Sequence, residues 1–373
     1  MIHVTDPQGI SRNSTTVVLG RARHEWLADQ LAEEGVRIVA YDDGDLRLGG
    51  FRVPDGVFRT LANVWKATAL ARDHEAPLLL WSPREGILSA LLGRVWTARR
   101  VPIVALNLIA FPQPGLRGRV RDRLFRAAFA GSNLTVTVNS EWLRRSYASL
   151  FGIQPQQIHV LSDCWLPKWL GDKATPGQPE DGYVFAGGTA ARDWTTLLRA
   201  AASLPEIPFR VIARQGDWPT HIAVPKNVEV LFDTPEDFFW ETARRARIEI
   251  VCLSSRITSG LVVLILSSLM GRPIISTRTP ATEPYYPKDR WDLLVEVGDH
   301  CALADRISAL WADEQLCTDS ANAIQDHILK EHTPQAFAHR IREIVDAVTA
   351  AHAAGDSQRH GGATVSSSRR VEV

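Results

Sequence analysis

Two stretches carry residue types at a spacing suited to holding an anion. The first is FAGGTAARDWTTLLRAA, residues 185–201. An apolar run ends in Gly187-Gly188, a polar turn with Arg192 and Asp193 follows, and a Leu-rich amphipathic segment begins. A strand that stops in glycines and re-enters as a helix brings unpaired backbone N–H groups to a helix N-terminus, which favours a phosphate. Arg192 adds a guanidinium beside the turn, as a diphosphate would require. The stretch matches neither G-x-G-x-x-G nor G-x-x-x-x-G-K-[ST], which argues against NAD-type and P-loop readings. A Gly-Gly pair by itself serves equally well as a tight turn.

The second stretch is CLSSRITSGLVVLILSSLMGRPIISTRTP, residues 252–280. An apolar strand ends in Ser254, Ser255 and Arg256. Thr258-Ser259-Gly260 then starts a helix whose first amides have no intrahelical partner. Gly260 allows close approach to the backbone. Met270-Gly271-Arg272-Pro273 ends that helix and leads into a buried strand. The same pattern also fits ordinary α/β packing, but both turns lie where strands feed helices, the edge at which open α/β sheets bind ligands.

Other candidates stand further back. Arg84-Glu85-Gly86 follows PLLLWS, so Glu85 either faces a cleft or complements a helix N-terminus. Asn107 closes VPIVALN and offers a polar contact. Arg21, Arg23 and His24 follow the first strand; His24 is a candidate base or a surface histidine. Asp163 ends the last strand of the first half, where it lines a cleft or caps a turn. His327 and His332, five apart, do not share one helix face, which argues against a metal site. GLRGRVRDRLFRAAF reads as a membrane-surface or phosphate-facing helix, or as a solvated basic face. Trp194, Trp218 and Trp240 read as packing residues rather than a nucleic-acid platform.

The elements around these residues follow from the whole chain. Its 373 residues exceed one ordinary core and call for two domains. With 45% hydrophobic and 23% charged residues and zero formal net charge, there is no global basic footprint for nucleic acid. Arginine carries nearly all of the 42 basic residues, a compositional style of Arg- and Ala-rich bacterial proteins. Four scattered cysteines, Cys164, Cys252, Cys301 and Cys317, form no Cys-x-x-Cys pair, so neither zinc nor a disulfide framework is expected. The N-terminus has no signal-like apolar region and LVVLILSSLM is about half a bilayer span, so a cytoplasmic protein is expected.

Continuous apolar strands alternate with helical patterns in both halves, which predicts parallel, doubly wound sheets. CWLPKWLGDKATPGQPEDG, residues 164–182, breaks the pattern. The expected division is an N-terminal domain over 1–165, a linker over 166–181, a C-terminal domain over 182–333, a crossover helix over 334–352 and a disordered tail over 353–373. Asp299 is placed to cap the helix CALADRISALWAD.

The second half resembles retaining nucleotide-sugar glycosyltransferases of the GT-B fold, family 4 type. The resemblance covers most of 182–350: YVFAGGTAARDWTTLLRAA, FRVIAR, NVEVLF, PEDFFWETARRARIEIVCLSS, SGLVVLILSSLMGRPIIST, WDLLVEVGD and ALADRISALWADEQL, in that order. More loosely, LLWSPREGILSALLGR, VPIVALN, TVTVNSEWLRRSYASLFGI and IHVLSD resemble the acceptor-side domain. The resemblance implies two Rossmann-like domains with an interdomain cleft. It assigns Gly187, Gly188, Arg192 and Arg214, with Thr258, Ser259, Gly260, Leu261 and Val262, to the diphosphate and sugar. His24, Arg84, Glu85 and Asn107 fall on the acceptor side, and Glu85 and Arg192 are the catalytic candidates.

The chain departs from that family at one place. Thr258 and Leu266 stand where the family often carries two glutamates eight residues apart, the second holding the ribose hydroxyls. Leu266 cannot accept a hydrogen bond. Either Ser267 or Ser268 takes over, the nucleoside is read elsewhere, or no donor binds. The expected reaction is metal-independent sugar transfer with retention from a UDP- or GDP-sugar to a small natural-product or polysaccharide-precursor acceptor, with no cofactor. Nucleic acid is not an expected partner; peripheral membrane contact is the most a membrane would supply, and a homodimer is compatible. A degenerate scaffold and a nucleotide-sugar epimerase are the alternatives.

Overall fold

Aliphatic and β-branched runs alternate with amphipathic ones along the chain, and their periods decide between strand and helix. The computed structural model describes residues 2–5, 15–20, 25–41, 47–48, 51–52, 57–96, 101–110, 114–131, 133–169, 182–256 and 258–365. The chain divides into two units, Met1–Leu161 with Phe337–Val373, and Ser162–Ala336.

The first unit contains β1 (Ile2–Thr5), β2 (Thr16–Gly20), α1 (Glu25–Glu33) and β3 (Arg37–Tyr41). A short antiparallel pair follows, β4 (Arg47–Leu48) and β5 (Phe51–Arg52). Next come α2 (Val57–Asp73), β6 (Leu78–Leu80), α3 (Pro83–Trp96), β7 (Ile103–Ala105), α4 (Gly115–Phe129), β8 (Leu134–Val138), α5 (Glu141–Phe151) and β9 (Ile158–Val160). The main sheet has the order β1-β3-β2-β6-β7-β8-β9 and is parallel except where β1 joins β3. Its central strands are buried, as a parallel sheet covered on both faces requires. α2, α3, α4 and α5 form a layer of successive neighbours.

Local chemistry sets the helix ends. The Ser140 side chain accepts the Leu143 N–H at 3.3 Å to start α5, and Gly152, at φ 64°, stops it in the left-handed region.

The second unit contains β10 (Val184–Gly187), α6 (Trp194–Ala202), β11 (Phe209–Ala213), β12 (Val228–Phe232), α7 (Glu236–Arg245) and β13 (Ile248–Val251). It continues with α8 (Leu261–Leu269), β14 (Ile274–Thr277), β15 (Leu294–Val295), α9 (His300–Ala312) and α10 (Glu314–Glu331). Its parallel sheet runs β12-β11-β10-β13-β14-β15. The chain begins in the middle, winds outward to β12, then crosses back over β10 to β13. That reversal is the topological switch point of a dinucleotide-binding fold. Asp299 does cap α9, accepting the Ala302 N–H at 2.9 Å.

The final helix, α11 (Pro334–Val365), returns to the first unit from Phe337. Phe337 packs with Trp26 and Trp81, ring centroids 5.9 to 6.1 Å apart. Helix continues beyond residue 352, where apolar periodicity ends, because each further residue adds a backbone bond to an existing helix. The sequence pattern did not announce β1 or α2. α2 shows several large apolar residues to solvent, including Phe58 and Leu61, which blurs the amphipathic signal.

One buried acid marks the core of the second unit. Glu249, in β13, is 1% exposed and accepts a hydrogen bond from Ser267. Burial raises its carboxyl from 4.5 to about 8, against the lowering effects of Ser267 and Arg272. The folded state therefore holds this proton where the unfolded chain releases it. Stability from this group is complete below about pH 4.5 and is lost progressively as pH rises through about 8. Thermal melts across that window will show the wild type losing stability, while Glu249→Gln melts with a flatter pH dependence and gains on the wild type at the alkaline end. Identical slopes would refute the assignment.

Candidate functional site

The strands of the second unit present their C-terminal ends at one edge, and β10 and β13 meet there side by side, with Val184 opposite Ile248 and Ala186 opposite Ile250. The chain leaving β10 cannot continue straight. Gly188 adopts φ 123° and Ala191 φ 53°, so the loop doubles back. It is stitched to the continuation of β13: Asp193 N–H donates to Cys252 O at 3.0 Å, and Ser254 N–H donates to Ala191 O at 2.9 Å. Asp193 then caps α6, accepting from the amide and hydroxyl of Thr196 at 3.0 and 2.7 Å.

Arg192 lies across this junction. Its Nε donates to Gly187 O at 2.9 Å and its Nη1 to Ala190 O at 3.0 Å, with Ser259 Oγ 3.4 Å from Nη1. Ser259 in turn donates to Ala190 O at 2.6 Å. One guanidinium thus joins the loop after β10 to the start of α8. Among the described residues, Nε and Nη1 make these hydrogen bonds and Nη2 makes none. Among the described residues no carboxylate pairs with Arg192, the nearby Asp193 being engaged as a helix cap. Desolvation lowers its pKa to about 10, which leaves it charged at neutral pH. A desolvated cation without a counter-charge is costly, and an anion at this edge would relieve that cost.

α8 faces the same junction. Gly260 is its N-cap at φ 77°, with no side-chain cap, so its first amides are left for a ligand or solvent. The Thr258 hydroxyl is buried and has no hydrogen-bond partner. Val262 is half exposed, whereas Leu261 is buried and offers only its backbone. Arg214 follows β11, the neighbour of β10, and is exposed.

One sequence expectation needs correction, and one glycine gains a further explanation. Ser267 and Ser268, expected to read a nucleoside, are wholly buried. Ser267 bonds Glu249, and Ser268 donates to Leu264 O at 2.8 Å. α8 is apolar on every side, so its sequence gives no phase for choosing an outward face. Gly187 also has a reason other than ligand approach. A Cβ there would sit 2.4 Å from the Phe239 ring, so the residue is small to pack against α7. Gly188 answers to Arg192, whose Nη2 would be 2.2 Å from an added Cβ.

In the first unit, Arg84 and Glu85 occupy the first turn of α3, just past β6; Arg84 is exposed and Glu85 half-buried. His24 lies outside the described residues, as do Arg21 and Arg23. Asn107 follows β7 at φ 60°, a left-handed conformation that asparagine tolerates. Its N–H donates to Thr137 Oγ1 at 2.8 Å, and its Oδ1 is buried without a partner. Asn139, at the end of adjacent β8, was missed. It is 2% exposed, and neither its Oδ1 nor its Nδ2 finds a partner. The signal was present, since LTVTVN ends in asparagine just as VPIVALN does. Among the described residues, no group of three His, Cys, Asp or Glu side chains gathers as metal ligands, and no helix is long and apolar enough to cross a membrane.

Solved structures share this architecture. A glycosyltransferase from Rickettsia africae matches with TM-score 0.61 at 14% identity, over 90% of this chain and 99% of its own. Anabaena Alr3699/HepE, in complex with UDP and glucose, matches with TM-score 0.59 at 13% identity, over 89% and 99%. Sucrose-phosphate synthase from Thermosynechococcus elongatus matches with TM-score 0.60 at 12% identity, over 91% and 100%. The fold is GT-B. No protein-family model matches the chain, and no curated protein matches it either.

The packing role of Gly187 is open to direct test. Gly187→Ala forces Phe239 and Phe185 aside and will lower unfolding free energy by about 1–3 kcal/mol in urea titrations. Gly216→Ala, at a position with open space around it, will leave stability within about 0.5 kcal/mol. Equal behaviour of the two variants would remove the packing argument.

Proposed function

We propose that this protein transfers a sugar from a nucleotide diphosphate-sugar to an acceptor hydroxyl. The observation that carries this reading is the Arg192 guanidinium, desolvated and without a carboxylate, beside the uncapped N-terminus of α8 at a topological switch point. A diphosphate supplies the missing counter-charge and accepts from both sources of N–H. The shared fold with proteins whose structures hold UDP supports the same reading.

The chemistry then follows. The bond between the anomeric carbon and the diphosphate oxygen breaks, and its electron pair stays on the diphosphate. Arg192 Nη2 and the first amides of α8 stabilise that developing charge as fixed dipoles, without reorganisation. The acceptor oxygen bonds to the anomeric carbon on the face the leaving group departs, and its proton passes to the diphosphate, so configuration is retained. This route needs neither a carboxylate nucleophile nor a metal ion. Thr258 and Ser259 line the donor side with Gly260 and Val262, and Arg214 adds charge from the next strand. Arg84, Glu85, Asn107 and Asn139 are the acceptor-side candidates; Asn107 Oδ1 and the Asn139 amide, which lack partners, suit a polyhydroxylated natural product or polysaccharide precursor.

One observation favours a second reading, a degenerate glycosyltransferase-like binding or scaffold protein without transfer activity: Leu266, Ser267 and Ser268 all face the core, so this part of α8 offers nothing to ribose. Turnover separates the two readings, since only the enzyme releases UDP or GDP from a donor.

Calorimetric titration tests the shared donor site. UDP or GDP will bind the wild type, and Arg192→Ala will weaken binding by about 10- to 100-fold through loss of a charged hydrogen bond. Arg192→Lys will recover part of that loss, and Arg199→Ala, on the exposed side of α6, will change nothing. A folded wild type that binds neither nucleotide would end the proposal.

A further inference from the structure

α4 turns the wrong kind of face to solvent. Its buried residues are Gly118, Ala128 and Phe129, while Leu116, Val120 and Leu124 are 71%, 49% and 47% exposed. At 100° per residue these leucine and valine side chains fall within an arc of about 80°, on the side of the helix away from Gly118 and Phe129. Arg119 and Arg123 border the stripe on one side and Arg117 on the other, all exposed and none in an ion pair. Arg121 behaves differently. It turns inward, pairs with Asp122 at 2.6 Å and lies over the Phe125 and Phe151 rings. In the same helix layer, α2 adds Phe58, 78% exposed.

Charge decides what covers such a stripe. A protein partner would have to desolvate three uncompensated guanidinium groups around a small aliphatic centre, whereas interface cores are depleted of charge. At a bilayer surface the aliphatic side chains enter the acyl boundary and the arginines reach up to the phosphates at the same depth. We infer that the outer face of α4 is a docking surface for a bilayer rich in anionic phospholipid, held peripherally. This attachment is independent of the donor site.

Vesicle sedimentation with the full-length protein tests it. Phosphatidylcholine vesicles containing phosphatidylglycerol will retain the protein at low salt, and pure phosphatidylcholine vesicles will not. R117Q/R119Q/R123Q will weaken partitioning by about 100-fold, at roughly a tenfold factor or less per arginine. L116S/V120S/L124S will weaken it by at least about tenfold, and both variants keep the wild-type melting temperature because the changed side chains are exposed. The inference fails if anionic vesicles are not preferred or if neither variant alters partitioning. It also fails if L116S/V120S/L124S instead dissolves a dimer of this chain, or if the arginine variant abolishes RNA binding while vesicles stay unbound.

Discussion

The C-terminal edge of the second sheet depends on one guanidinium. Arg192 accounts for the geometry on both sides of it: the loop from β10 closes because Gly187 O and Ala190 O accept from it, and the start of α8 is reached through Ser259. Gly188 holds φ 123°, where a Cβ is strained, and an added Cβ would also enter the space of Nη2; a Cβ on Gly260 would meet Val251 Cγ1 at 2.6 Å and Nη1 at 3.2 Å. Carbonyl dipoles satisfy the N–H groups that point inward, but they do not neutralise the charge. Among the described residues this cation has no counter-charge, and it sits where a sheet of parallel strands already directs ligands. Structure and electrostatics are inseparable here, since removing the side chain would open the loop and discharge the edge at once.

Why polar groups gather at this edge follows from the sheet itself. Strands buried on both faces leave little room for side-chain chemistry along their length, so unsatisfied groups collect where strands end. In the second unit that edge carries Thr258 and the free amides of α8, while Thr277 Oγ1 secures Leu253 N–H at 2.8 Å and holds the end of β13 in place. In the first unit the same logic puts Asn107 and Asn139 at the ends of paired β7 and β8. Glu249 is the exception inside a strand, and it survives there by keeping its proton and receiving the Ser267 hydroxyl.

The alternation of strand and helix, the glycine turn, Arg192 and the Asp299 cap were all legible in residue order, because each rests on local periodicity or on contacts within a few residues. Other features depend on partners far along the chain. Gly187 is explained by Phe239, and Asn139 by its burial beside β7, neither of which a local window contains. The helix α2 escaped notice because Phe58 and Leu61 point outward, against the rule that apolar residues mark the buried face. The acceptor-side expectation for Glu85 could be located at the start of α3, but residue order alone could not say what surrounds it.

α8 limits how any nucleotide docked at this edge is recognised. Every one of its residues except Val262 is buried, so beyond the first turn the helix has no surface to offer. Ser267 and Ser268 cannot turn outward without exposing the Leu264–Leu269 packing and leaving Glu249 Oε2 without its donor. Under the proposed function, grip at this edge falls to Arg192 and to backbone N–H groups, which read charge and are indifferent to the base. Under that function, discrimination between nucleosides falls to side chains off the helix rather than to α8.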